Sequence, residues 1–182
     1  LQVARVLPAL EAAGASVLFD SFDGPADPAW TVHERGRGSV EWQSQVSLSG
    51  GALKVQSTTN TRSLAYAQRV LSAGLSGVSI DLDVRVGSQA SVTRQLPLIA
   101  VMGDDGQLFQ VLRSRDGRLV LHRPGKYVLL SGKLPLGAWR HLTIDARGGS
   151  RPGLTIVAAG VTIYDNTTAA FLKCELQRHP AG

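Results

Sequence analysis

From residue 16 to about residue 165 the apolar positions fall in short runs separated by turn residues, and the clearest run alternates. Val78, Ile80, Leu82, Val84 and Val86 share one parity, while Ser79, Asp81, Asp83 and Arg85 share the other. That period of two is the signature of a strand with one buried and one wet face. Strands are predicted over residues 17–22, 40–44, 52–57, 64–70, 78–86, 96–102, 108–114, 119–122, 127–130, 139–146, 154–158 and 161–165. The run 96–102 is apolar nearly throughout and predicts a central strand buried on both sides. Between the runs stand Gly50-Gly51, Asp105-Gly106, Asp116-Gly117, Pro124-Gly125, Gly148-Gly149 and Ala159-Gly160. Asp-Gly and Gly-Gly supply the positive φ of tight hairpins at low steric cost.

Only the start of the chain departs from this rhythm. Val3, Val6, Leu7 and Leu10 have helical spacing and Gly14 follows as a stop, which predicts a short helical or irregular extension over residues 1–15. Residues 16–170 then form one domain, and residues 171–182, without convincing alternation, a C-terminal tail. Twelve short strands with no helix between them cannot make a parallel sheet, whose crossovers need a dozen or more residues. The fold class expected is all-β, a two-sheet antiparallel sandwich. Whether Trp139, His141 and Thr143 or Leu142 and Ile144 face inward is not fixed by periodicity; Trp139 and Phe109 are the aromatics expected in the core.

The order of features resembles laminin-G-like jelly-roll domains of secreted bacterial proteins, within the concanavalin A-like lectin/glucanase superfamily. The resemblance rests on Val17-Leu18-Phe19-Asp20-Ser21-Phe22-Asp23-Gly24 followed by Trp30, on Ser49-Gly50-Gly51-Ala52-Leu53-Lys54-Val55, and on Ala65-Tyr66-Ala67-Gln68-Arg69. It rests most on Gly117-Arg118-Leu119-Val120-Leu121 and the passage Leu134-Pro135-Leu136-Gly137-Ala138-Trp139-Arg140-His141. It implies a jelly-roll sandwich and an extracellular or cell-envelope location. It leaves function open, because the same sandwich hosts lectins, glucanases, lyases and adhesion modules.

Charge narrows the partner. Of 19 Lys+Arg against 14 Asp+Glu, nine basic and two acidic residues lie between Arg113 and Arg151. Such a stretch suits a polysaccharide or an anionic cell-surface polymer; nucleic acid is the less expected partner. No window is apolar enough to span a membrane as a helix. The chain opens on Leu1 rather than Met, which reads as a processed or partial chain, and its single cysteine, Cys174, forms no internal disulfide.

Catalytic chemistry finds little to stand on. Glucanases of the superfamily which the chain resembles carry a Glu-x-Asp-x-x-Glu strand, whose carboxyls sit ~5–5.5 Å apart in a retaining mechanism. The nearest approach here is Asp81-Leu82-Asp83, followed by Arg85. Catalytic residues are expected to be none, and a hydrolase or lyase rests on fold analogy alone. The acids at Asp20/Asp23 and Asp104/Asp105 are too few for the six to eight oxygens of Ca²⁺, and the four histidines form no paired metal motif. The expectation is therefore no metal and no cofactor, with Ca²⁺ the one ion to consider. Sugars offer an apolar face and a hydroxyl rim, so aromatic platforms and planar donors are the side chains to seek. Trp42, Tyr66, Tyr127 and Arg113, each on or beside a strand, are the expected ligand-binding residues. The function expected is a non-catalytic binding module for carbohydrate or an anionic polymer, with a structural spacer or adhesion domain as its rival.

Overall fold

The computed structural model describes residues 2–7, 22–44, 50–58, 62–70, 77–88, 90, 94–103, 106–147 and 153–166. Among them are thirteen strands and no helix: β1 (Gln2–Leu7), β2 (Trp30–Arg35), β3 (Ser39–Gln43), β4 (Ala52–Gln56), β5 (Leu64–Arg69), β6 (Gly77–Arg85), β7 (Leu96–Gly103), β8 (Gly106–Arg113), β9 (Arg118–Arg123), β10 (Lys126–Lys133), β11 (Trp139–Arg147), β12 (Gly153–Ala158) and β13 (Val161–Asn166). The expected strand over 17–22, apart from Phe22, and the expected tail 171–182 lie outside the described residues.

The strands form an antiparallel seven-stranded sheet ordered β13-β12-β11-β6-β1-β4-β3 and an antiparallel four-stranded sheet ordered β10-β9-β8-β7; β2 and β5 pair separately. The first two sheets pack face to face as a sandwich. Leu82, Val84, Leu142, Ile144, Leu154 and Ile156 from one meet Phe109, Val111, Leu119, Leu121 and Leu130 from the other in a single buried cluster. Burying each such side chain contributes roughly 1.5–3 kcal/mol against leaving it in water. Alternation along β11 and β12 is strict, with Leu142, Ile144 and Ala146 inward and Trp139, His141, Thr143 and Asp145 on the other parity. Phe109 lies in the core as expected, whereas Trp139 sits on the outer face.

Three elements differ from the sequence expectation. Residues 2–7 form a strand between β6 and β4 and so belong to the sandwich, not to a helical or irregular extension of it. The reason is a bulge between Val3 and Arg5: Val3 stands opposite Val84 and Val6 opposite Leu82, so two positions facing core residues are three apart, a spacing that mimics a helix. Strand β2, absent from the sequence pattern, pairs along its whole length with β5. Strand β7, expected to be central, is an edge strand, with Pro97, Ala100 and Met102 exposed. An edge is where a proline, lacking its N–H, costs no ladder bond.

Two close approaches tie these elements together. Gly51 at the head of β4 lies against the Phe22 carbonyl, where a Cβ would come within 1.8 Å, and its N–H donates to Asp23 Oδ1. Any side chain there would push the strand away. Gly117, with φ +89, turns the β8–β9 hairpin so that its carbonyl accepts from the Leu134 N–H.

Candidate functional site

The turn Pro124-Gly125 sets the site's register: with two residues in the turn, Arg123 faces Lys126, His122 faces Tyr127 and Val120 faces Leu129. Leu119 and Leu121 of β9 point into the core, so His122, Val120 and Arg118 share the outer face of the four-stranded sheet. On the edge strand β10 the outward file is Tyr127, Leu129, Ser131 and Lys133, all four exposed. Tyr127 and Leu129 stand 60% and 55% exposed, large apolar surfaces that β10 leaves to solvent. Tyr127 stacks on His122 with ring centroids 4.1 Å apart and planes 9° from parallel. Gln107 Nε2 lies 3.1 Å from His122 Nδ1, holding the imidazole from its far side, and Gln110 stands opposite His122 in the ladder. Beyond Leu129 the neighbouring row runs through Val120 and Leu112, both nearly inaccessible, to Pro97. At the other end of the file Lys133 stands opposite Arg118. Strands β7 to β10 contain no Asp or Glu, only the basic Arg113, Arg118, Arg123, Lys126 and Lys133.

The four residues singled out in the sequence are not brought together. Tyr127 is part of the face just described. Tyr66 is on β5, a different sheet, where it stacks on His33 at 4.4 Å. Trp42 pairs with the buried Leu53, and its indole N–H, screened from solvent, has no acceptor among the described residues. That is a packing position, not a platform. Arg113 is 5% exposed. Its Nε donates to the Leu134 carbonyl at 2.7 Å and its Nη1 to the Ser114 carbonyl at 3.1 Å, and burial pushes its pKa below the ordinary guanidinium value, with Asp116 opposing. Arg113 thus locks the β8–β9 hairpin to the strand exit at Leu134, and its side chain is buried.

The sequence reasoning passed over His122, although the signal was present: the Pro-Gly turn alone places positions 122 and 127 side by side. Asp81 and Asp83, the nearest approach to a carboxylate pair in the sequence, lie with His141 on the outer face of the seven-stranded sheet. There His141 Nδ1 is 3.0 Å from Asp83 Oδ1 and Nε2 is 2.7 Å from Asp81 Oδ1. Arg85 lies over Trp139, 5.2 Å from the ring centroid, and Arg147 pairs with Asp145. With both ring nitrogens of His141 turned to carboxylates, the cluster closes on itself. Among the described residues no group of three His, Cys, Asp or Glu is arranged to hold a metal ion, and Asp104 and Asp105 lie outside them.

No protein-family model matches the chain, and no curated protein sequence matches it. Among solved structures it is similar to an endo-β-1,4-glucuronan lyase from the fungus Trichoderma reesei, with 14% identity and a TM-score of 0.53 over 79% of this chain and 74% of that one. It is also similar to a conserved carbohydrate esterase from the Shiga toxin-encoding bacteriophage phi24B, with 16% identity and a TM-score of 0.34 over 78% of this chain and 74% of that one. At 14% identity the likeness to the lyase is one of fold, that of the two-sheet antiparallel sandwich.

Proposed function

We propose that the chain is a laminin-G-like, non-catalytic module of the cell exterior or envelope that binds polysaccharide along strand β10. The observation that carries this reading is the exposed file Tyr127, Leu129, Ser131 and Lys133, with Tyr127 stacked on His122 and His122 held by Gln107. A pyranose ring presents an apolar face to such a ring pair, while glutamine amides and the serine hydroxyl answer its hydroxyls. The solved structure that the sandwich matches in fold, a glucuronan lyase, is of a carbohydrate-active enzyme, which agrees with a carbohydrate partner. The absence of any carboxylate from strands β7 to β10 speaks against an acid and base pair for hydrolysis on this face.

Affinity electrophoresis in gels containing a panel of neutral and acidic polysaccharides tests the reading. Tyr127→Ala is expected to weaken retention about tenfold, the loss of one stacking contact of about 1 to 1.5 kcal/mol, and Tyr66→Ala to leave it unchanged. Equal retention of wild type and Tyr127→Ala on every polysaccharide would overturn it. Release of unsaturated sugar ends from a retained polymer would move the protein to the lyases.

A further inference from the structure

Resting on the proposed binding of polysaccharide along β10, we infer that the polymer is an acidic one, and that Arg118 and Lys133 form a subsite that reads the acid group on its sugars. The two side chains stand opposite each other in the β9–β10 ladder, on the outer face and both exposed. Asp116 Oδ2 lies 3.3 Å from Arg118 Nε, and the Asp116 carboxyl is held below its usual range first by the Ser114 hydroxyl. That fixes one edge of the guanidinium. Among the described residues no acidic side chain is paired with Lys133. A ligand that matched only the Tyr127 ring would leave these charges unused; an anionic chain meets them.

Distance gives the pair a separate role. Tyr127 faces His122 and Lys133 faces Arg118, four residues apart on the extended strand β9, roughly 13 Å at about 3.3 Å per residue, and the irregularity between Leu129 and Lys133 takes up the two extra residues of β10. One sugar cannot reach both ends. An oligomer laid along the file places an apolar ring face on Tyr127 and Leu129 and carries its acid group to Arg118 and Lys133. Stacking then gives affinity for the backbone of the polymer, and the basic pair gives preference for its charge.

The probes are polygalacturonate, the same polymer with its carboxyls reduced to alcohols, dextran sulfate, and a single-stranded oligonucleotide. Binding is measured by titration calorimetry at low salt and at about 0.5 M, where the Debye length falls to about 4 to 5 Å, and thermal denaturation checks that each variant is folded. Wild type is expected to prefer polygalacturonate over its reduced form by about tenfold. In Arg118→Gln/Lys133→Gln that preference is expected to vanish, with binding of polygalacturonate falling about tenfold to the level of its reduced form. Equal binding of dextran sulfate would keep the subsite and widen its acid group to sulfate. If the double variant retains the tenfold preference, the subsite is overturned and the binding face stands. If Tyr127→Ala changes binding to neither polymer, the face itself falls. If the oligonucleotide binds as well as polygalacturonate and both are lost at high salt, the inference is overturned in favour of a general anion surface.

Discussion

The two outer faces of the sandwich carry the same kinds of residue in opposite states. On the seven-stranded sheet the strands hold five acidic residues (Glu41, Asp81, Asp83, Asp145 and Asp165) and five basic ones (Arg5, Lys54, Arg85, Arg140 and Arg147). Several meet each other: Lys54 with Glu41, His141 with Asp81 and Asp83, Arg147 with Asp145, and Arg85 over Trp139. On the outer face of the four-stranded sheet stand Arg118 and Lys133, with no acid on any of its strands and an exposed Tyr–His stack along the same file, whereas Arg113 is buried and Arg123 and Lys126 share the inward parity of Leu119 and Leu121. The first face is neutralised within the molecule. On the second, Arg118 meets Asp116 from the neighbouring turn, and Lys133 has no acidic partner among the described residues. A charged face is therefore informative in proportion to the charge left without an internal partner, and the histidine cluster, although the denser chemistry, is the poorer candidate.

The largest effect should come from the layer that both faces share. Phe109→Ala is expected to destabilise the protein by about 3–5 kcal/mol in urea unfolding, through lost burial and a residual cavity. Both sheets should unfold in one transition, because Phe109 packs in the same cluster as Ile144 and Ile156. Two separated transitions would mean that the sheets are independently stable. Next, Arg113→Met should cost about 1–3 kcal/mol, since the Leu134 and Ser114 carbonyls lose their donors. Its retention on polysaccharide should match that of wild type, separating the buried arginine from the exposed pair on the same sheet.

Smaller effects sharpen the contrast between the faces. His141→Gln should cost about 1 kcal/mol or less, as partly exposed ion contacts do, and should leave polysaccharide retention unchanged; a loss of retention would transfer the site to the seven-stranded sheet. The smallest effect concerns pH. The Asp27 carboxyl is held below its ordinary range, first by the Ala29 N–H and then by the Arg69 guanidinium. A depressed carboxyl adds stability above its unfolded value, about 3.9, and loses it as pH falls through the lower folded value. The β2–β5 pair, to which Arg69 belongs, should therefore loosen only below about pH 4, and Asp27→Asn should abolish that acid step when the ring signals of His33 and Tyr66 are followed by NMR.

The sequence revealed most where one parity is apolar and the other polar over many residues. Strand β6 was legible for that reason, and so were β8, β9 and their Asp116-Gly117 turn. Strand β2 was not, because Trp30, Thr31, Val32, His33, Glu34 and Arg35 sit in a two-stranded sheet where neither face is fully buried and no alternation is imposed. Strand β1 was misread because a bulge shifts its parity midway. Of the site, Tyr127 could be read from its place beside a strand, and the basic stretch from counting. Trp42 and Arg113 could not be placed, since facing depends on register: pairing with Leu53 turns Trp42 inward, and the Leu134 carbonyl draws Arg113 inward despite its charge. His122 was legible only to someone who counted outward from Pro124-Gly125.

Strand β1 has one more consequence, for how the chain assembles. It stands between β6 and β4 and, among the described residues, is the one link in the ladder between β13-β12-β11-β6 and the β4–β3 hairpin. Its partners lie about 50 and 80 residues further along the chain. Until it docks, two sheet edges face each other across a gap one strand wide. Pairing over such long sequence separations is slow, and an open gap of this kind is a template on which a strand from a neighbouring molecule can pair when the chain's own strand is displaced. Residues 2–7 are thus the place where slow folding turns into strand exchange, and where an added peptide of that sequence would compete for the gap.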